Sequence, residues 1–150
     1  MRLSRSADYA LRAMQYLAGL SEGEVTSGAM IAEETGVGEA FLQKVMRLLV
    51  RSRLVRAQSG VGGGFKLNLP PEQISMLRVI EAVDGPLDLG TCLEDDYQNC
   101  GRKAWCSVHA VISGIHRHTL HVLGGTSIAR LKRDSDTRQD FVRSISQRSA

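Results

Sequence analysis

The first constraint on this chain is a run of glycines between two short alternating segments. Leu54-Val55-Arg56-Ala57-Gln58 and Phe65-Lys66-Leu67-Asn68-Leu69 alternate apolar and polar residues, the period of a strand with one covered face. Between them lies Ser59-Gly60-Val61-Gly62-Gly63-Gly64. Glycine reaches positive φ freely, so this stretch can reverse the chain and bring its backbone close to a ligand. The pattern predicts a β-hairpin. A phosphate-cradling glycine loop is the competing reading, but it requires a helix opening after Gly64 and a Gly-Lys-Ser/Thr step, and neither follows.

Three helical patterns precede the hairpin. Residues 4–20 place Ala7, Leu11, Met14 and Leu17 at helical spacing, with Ser4 or Ser6 as the cap. A second helix starts at Thr26 or Ser27, turns Met30 and Ile31 inward, and stops at Gly36. A third runs from about Glu39 to Ser52, with Phe41, Leu42, Val45, Met46, Leu48 and Leu49 as its apolar face. Two short helices joined by a tight glycine turn form a helix-turn-helix, whose second helix enters the major groove, and a following hairpin is then a wing. A hairpin that never touches DNA is the plainer alternative.

Pro70-Pro71 breaks the chain, and Ile74 to Asp84 reads as a fourth helix with Met76 or Leu77, Ile80 and Val83 packed back on the first three. An acidic, polar loop follows. From Ser107, the residues Val108, Val111, Ile112, Ile115, Thr119, Val122 and Leu123 recur as one apolar stripe over about four turns. A domain this small already buries its first helices on one another, so the stripe predicts a two-fold dimer seam. Thr126 to Arg133 reads as a short capped helix and the polar residues from Asp134 onward as a mobile tail. The expected fold is mainly α with a small β-hairpin: a winged helix-turn-helix (1–84), a cysteine loop (85–106), dimerisation helices (107–133) and a flexible tail (134–150), in one structural domain.

Charge is segregated. The net charge is only +3, yet no acidic residue lies between Glu39 and Glu72, where Lys44, Arg47, Arg51, Arg53, Arg56 and Lys66 are found. Glu81, Asp84, Asp88, Glu94, Asp95 and Asp96 then follow with no basic residue between Arg78 and Arg102. A basic block of this kind is the footprint of phosphate contact. Expected nearest the base edges are Glu39, Ala40, Gln43 and Lys44. Arg47, Arg51, Arg53 and Arg56, with the backbone of Gly60, Gly62, Gly63 and Gly64, are expected at the phosphates, and Ser59 is expected to contact DNA in the wing. No apolar run approaches the roughly 20 residues of a bilayer span, and the start of the chain lacks the apolar core of a secretion signal. The expected location is cytoplasmic, with double-stranded promoter DNA as partner, no membrane and no small-molecule substrate.

All three cysteines, Cys92, Cys100 and Cys106, fall within one loop, spaced C-x7-C-x5-C. In a reducing compartment such a cluster points to metal or redox chemistry rather than to disulfides. His109, three residues beyond Cys106 at a helix start, can face the same point. His116, His118 and His121 lie off the apolar stripe and read as a solvated face. Zinc usually takes four ligands with a tight Cys-x2–4-Cys knuckle, which is absent, although these four residues would suffice in number. A catalytic cysteine needs a base and an oxyanion site, and the acidic loop suggests neither. An iron–sulfur cluster suits soft thiolates on long spacers and accepts a histidine in place of a cysteine. Iron–sulfur, zinc and a metal-free thiol all stay open on spacing alone.

MRLSRSADYALRAMQYLA at the start, GV-x-EAFLQKV in the third helix, GVGGGFKL in the wing, VIEAVDGP after it, and three cysteines ending in C-x-x-H together resemble the Rrf-two (Rrf2) family of winged-helix bacterial repressors, which includes IscR, NsrR and RirA. The resemblance covers about residues 1–133. It implies a homodimer that binds palindromic promoter DNA and senses iron, nitric oxide or redox state through an iron–sulfur cluster at the three cysteines. The cysteine spacing is similar to the RirA type, while His109 is placed like the IscR ligand of a 2Fe–2S cluster. Asp8 falls where some NsrR proteins complete a 4Fe–4S cluster from the other subunit. His109 is favoured over Asp8, and 2Fe–2S slightly over 4Fe–4S. Ser59 stands where IscR carries a wing arginine and Gln43 where it carries a glutamate, so a target sequence does not carry over. The alternative is a zinc- or thiol-based winged-helix interaction module that does not read DNA.

Overall fold

A computed structural model describes residues 3–90, 93 and 100–148, with side chains placed as far as residue 140. Cys92 and the acidic residues Glu94, Asp95 and Asp96 lie outside the described residues.

Ser4 opens α1 (Arg5–Ala18), its side-chain oxygen accepting from the Ala7 amide at 3.0 Å. Ala7, Ala10, Leu11, Ala13, Met14 and Leu17 are buried on one face. Ser27 caps α2 (Gly28–Thr35) through the Met30 amide, and Gly36 ends it in the left-handed conformation at φ 67°. Gly38 then starts α3 (Glu39–Arg51), which buries Leu42, Val45, Met46 and Leu49. β1 (Val55–Gln58) and β2 (Gly64–Leu67) pair antiparallel in the register Val55↔Leu67, Arg56↔Lys66, Ala57↔Phe65 and Gln58↔Gly64. After a 3-10 turn at Pro71–Gln73, Ser75 caps α4 (Met76–Asp84). α5 (Ser107–Gly124) and α6 (Ile128–Arg148) complete the chain.

The core is one cluster, and α1 runs through it. α1 packs against α2, α3, α4, α6 and β2, and its three buried alanines let those neighbours approach closely. Two tethers between distant segments close the fold. Thr26 and Phe65 exchange backbone hydrogen bonds at 3.0 and 2.8 Å, which pins the wing to the entry of α2. Met76 donates to Thr126 and Ile128 to Ile74, both at 2.8 Å, which joins the start of α4 to the start of α6. The observed architecture is the expected winged helix-turn-helix, mostly helical with a two-stranded hairpin. No helix among the described residues is long and apolar enough to cross a membrane.

Several local expectations need correction. Met30 is 44% exposed, because neighbouring helical positions are about 100° apart and Ile31 takes the inward one. Phe41 is 38% exposed and meets the Tyr9 ring edge-on. In α4 the fully buried pair is Val79 and Ile80, with Met76 and Val83 only partly covered. Helical structure does not end at Arg133: α6 continues to Arg148. Its exposed face carries ion pairs at i, i+4, Arg130–Asp134 at 3.8 Å and Lys132–Asp136 at 2.6 Å, which favour helix across the expected boundary.

Candidate nucleic-acid interface and cysteine centre

The helix-turn-helix and the hairpin place the basic block on an outward-facing surface. Glu39, Ala40, Lys44, Arg47 and Arg51 are exposed along α3, and Arg56, Ser59, Gly60 and Gly62 along the wing. Arg47 folds back so that its Nε donates to the Gln43 carbonyl at 3.2 Å. Gln43 itself is half-buried. Its amide nitrogen stands 2.6 Å from the point that a Cβ on Gly28 would occupy, so it leans on α2. Gly63 is half-buried, and its amide already donates to the Gly60 carbonyl at 2.9 Å. That amide is therefore committed to the turn, and Gly60 and Gly62 are the better placed of the wing glycines to meet phosphate.

Among the described residues, the charges on this basic surface have no ion-pair partner. The ion pairs among the described residues are helical i, i+4 pairs on α1 and α6, and none involves Lys44, Arg47, Arg51, Arg53, Arg56 or Lys66. Arg56 and Lys66 are direct cross-strand partners. Like charges in that position repel, and a polyanion relieves them. Arg53, between α3 and β1, holds φ at 58°, a conformation that L-residues with a side chain rarely adopt. The chain bends there because Leu54 donates to the Leu49 carbonyl at 3.0 Å while the Asn68 side chain donates to the Arg53 carbonyl at 3.0 Å.

The cysteine centre is described in part. Cys100 and Cys106 are both free and half-buried. Two tight turns connect them, Lys103 N–H to Cys100 at 3.0 Å and Trp105 N–H to Arg102 at 3.1 Å. Cys106 is the N-cap of α5: its Sγ accepts from the His109 amide at 3.4 Å. A thiolate suits that position, since it faces the positive end of a helix. The His109 ring turns along α5, with Nε2 3.3 Å from the Ser113 hydroxyl, while its Nδ1 is buried and without a hydrogen-bond partner. Asp8 lies half-exposed on α1, ion-paired to Arg12 at 2.9 Å. Among the described residues no group of three or more His, Cys, Asp or Glu is arranged to hold a metal ion. The donor types present still fit an iron–sulfur site in kind: two free thiols, and a buried imidazole nitrogen without a hydrogen-bond partner. His118 and His121 are exposed as expected. His116 is not wholly solvated: it is half-buried, with Nδ1 buried and unpartnered.

A family model described as "Rrf2: Iron-dependent Transcriptional regulator" matches residues 3–134. The chain belongs to the Rrf2 family. A protein named as an HTH-type transcriptional regulator, ORF2, of Azotobacter vinelandii is 32% identical over 95% of this chain and 85% of its own length. The regulator IscR of Aliivibrio salmonicida is 28% identical, covering 93% of this chain and 82% of that one. Among solved structures, T. potens IscR matches with a TM-score of 0.74 at 22% identity, over 93% of this chain and 91% of that one, a likeness of fold. This Rrf2 protein is accordingly a transcriptional regulator of a DNA-binding class, not an enzyme.

Some features of the Rrf2 surface escaped the reading of the sequence. The Arg56–Lys66 pair could have been found by writing out the hairpin register. The tether from Thr26 to Phe65 had no local signal, because the two residues are far apart in the chain and nothing near either names the other as its partner. Tyr9 looks in the sequence like an ordinary member of the first helix, yet its ring meets Phe41 of α3 edge-on at 5.3 Å.

Proposed function

We propose that this Rrf2 regulator is a homodimeric repressor that binds palindromic promoter DNA through α3 and the wing. Its affinity for DNA is governed by an iron–sulfur cluster at Cys92, Cys100 and Cys106. The observation that carries the reading is the place of Cys106. Its sulfur caps α5, the helix whose apolar stripe is left open, with Val108, Val111, Ile115 and Val122 between 47% and 66% exposed. A change in bonding at that sulfur acts on the end of the proposed dimer helix, and hence on the spacing of two recognition helices. When bound, the cluster supplies the response to iron, nitric oxide or redox state. The chain's part is to hold the thiolates, to cap α5 and to present the basic surface.

His109 is favoured as the fourth ligand, with 2Fe–2S as the form. Its buried Nδ1 has no partner, whereas the Asp8 carboxylate is already engaged by Arg12. Carboxylate is also the harder donor and a poorer match for iron–sulfur chemistry. The proposal is tested by anaerobic purification with iron and sulfide counts and Mössbauer spectra on the wild type, His109→Ala and Asp8→Ala. Operator affinity is measured alongside for cluster-loaded and cluster-free protein. Two irons and two sulfides per chain, perturbed by His109→Ala, are expected. Four irons sensitive only to Asp8→Ala would move the fourth ligand to α1. Zinc without sulfide would replace the cluster with the zinc reading, and equal affinities would leave a plain repressor.

A further inference from the structure

A cavity of about 580 Å³ opens between the end of α1, the turn that follows it, β2 and the 3-10 turn at Pro71–Gln73. None of its lining residues belongs to α3 or to the cysteine loop. Its size falls in the range of small-molecule sites, about 300–1,000 Å³. Two of its edges are stiff. In the turn, the Ser21 amide donates to the Glu24 carboxylate at 2.9 Å, and the Glu24 amide donates back to the Ser21 carbonyl at 3.0 Å. On the other side, the rings of Pro70 and Pro71 fix the backbone. Edges of this kind form the site before any ligand arrives, which spares the cost of ordering it.

The lining has two characters. Leu17, Leu20, Leu67 and Leu69 give it apolar walls, and each of them also packs in or against the core. Lys66, half-buried, and Glu22 and Glu72, exposed at the rim, bring charges of opposite sign to the same space. None of these three forms an ion pair among the described residues, with one another or with a neighbour. The cation and the carboxylates are thus held apart around one cavity. A ligand with a single charge leaves the other sign unmet. A zwitterion with apolar side chains between its charged ends meets both and covers the leucines. A short aliphatic peptide is such a molecule: its terminal carboxylate suits Lys66, and its terminal ammonium suits Glu22 and Glu72.

We infer that this cavity binds a short aliphatic peptide, and that the bound peptide weakens the hold of the wing on DNA. The second half rests on the reading of the wing as a phosphate-contacting element. Lys66 is the link. It stands directly across the hairpin from Arg56, on the same face. A peptide carboxylate on Lys66 removes one positive charge from the wing, and with it one charge that a phosphate could meet. Asn68, in the same lining, donates from its side chain to the Arg53 carbonyl at 3.0 Å, so the ligand also borders the junction of α3 and β1. By linkage, DNA weakens peptide binding by the same factor.

The probes are the dipeptide Leu-Leu, its C-terminal amide and its N-acetyl form, titrated into the full-length protein by calorimetry. Leu-Leu is expected to bind roughly tenfold more tightly than either blocked form, the effect of one charge-assisted hydrogen bond. In Lys66→Met the advantage over the amide should vanish while the advantage over the N-acetyl form stays. In the double variant Glu22→Gln with Glu72→Gln the reverse should hold. Misfolding would lower all three affinities together and could not produce these paired losses. Saturating Leu-Leu should then lower the slope of log DNA affinity against log salt by about one in the wild type, and leave it unchanged in Lys66→Met. No binding of any probe, or equal binding of all three, would overturn the site. Selective binding with an unchanged slope would overturn its effect on the wing. A wild type with no DNA affinity to titrate would remove the DNA reading, while the peptide site would still stand or fall on the calorimetry.

Discussion

At the scale of single residues, the wing glycines divide by what surrounds them. Gly60 and Gly62 hold φ at 98° and 75° in open space. Gly63 and Gly64 are there because backbone lies against them: a Cβ on Gly64 would stand 2.1 Å from the Thr26 carbonyl oxygen. Gly64→Ala should therefore separate the wing from α2, costing about 1–3 kcal/mol, and lower the melting temperature along with DNA affinity. Thermal denaturation checks this. Arg53 is the opposite case, a bulky residue in a left-handed conformation. Asparagine tolerates that geometry better, so Arg53→Asn should gain up to about 1 kcal/mol in stability. If Arg53 meets phosphate, the same change should weaken DNA binding. Strain of this sort is invisible in the sequence, since nothing in the letters around Arg53 marks a positive φ.

At the scale of elements, α5 carries two separable roles. Cys106→Ser keeps an oxygen cap and should preserve helix content and melting temperature while abolishing any metal bound there. Cys106→Ala removes the cap as well and should cost about 0.5–2 kcal/mol. Circular dichroism and metal analysis on the two variants distinguish structural from ligand effects. The apolar stripe is testable in the same helix. Ile115 is 51% exposed in the single chain, and Ile115→Asp should give monomers that lose operator binding while α1 to α4 stay folded. Sedimentation shows the outcome, and a wild-type monomer at micromolar concentration would rule out the seam. The stripe was legible because its spacing matches the helical period. The length of α6 was not, because its polar face resembles a solvated tail until its ion pairs and its packing on α1 are seen.

For the whole molecule, the basic surface of α3 and the wing, without an ion pair among the described residues, sets a quantitative expectation for salt. Lys44→Ala and Arg51→Ala should each lower the slope of log affinity against log salt by about one, for any DNA sequence. Unchanged slopes in folded proteins would remove these residues from the phosphate contacts. By itself, the sequence determined the order of elements, the wing, the segregation of charge and the clustering of three cysteines. Each of those is set by local periodicity or by residues close together in the chain. Only the tertiary structure decided that Gln43 leans on Gly28, that Thr26 pins the wing, and that Tyr9 meets Phe41 at the start of α3. Those contacts join residues brought together by the packing of α1 through the core, a geometry that no local pattern encodes.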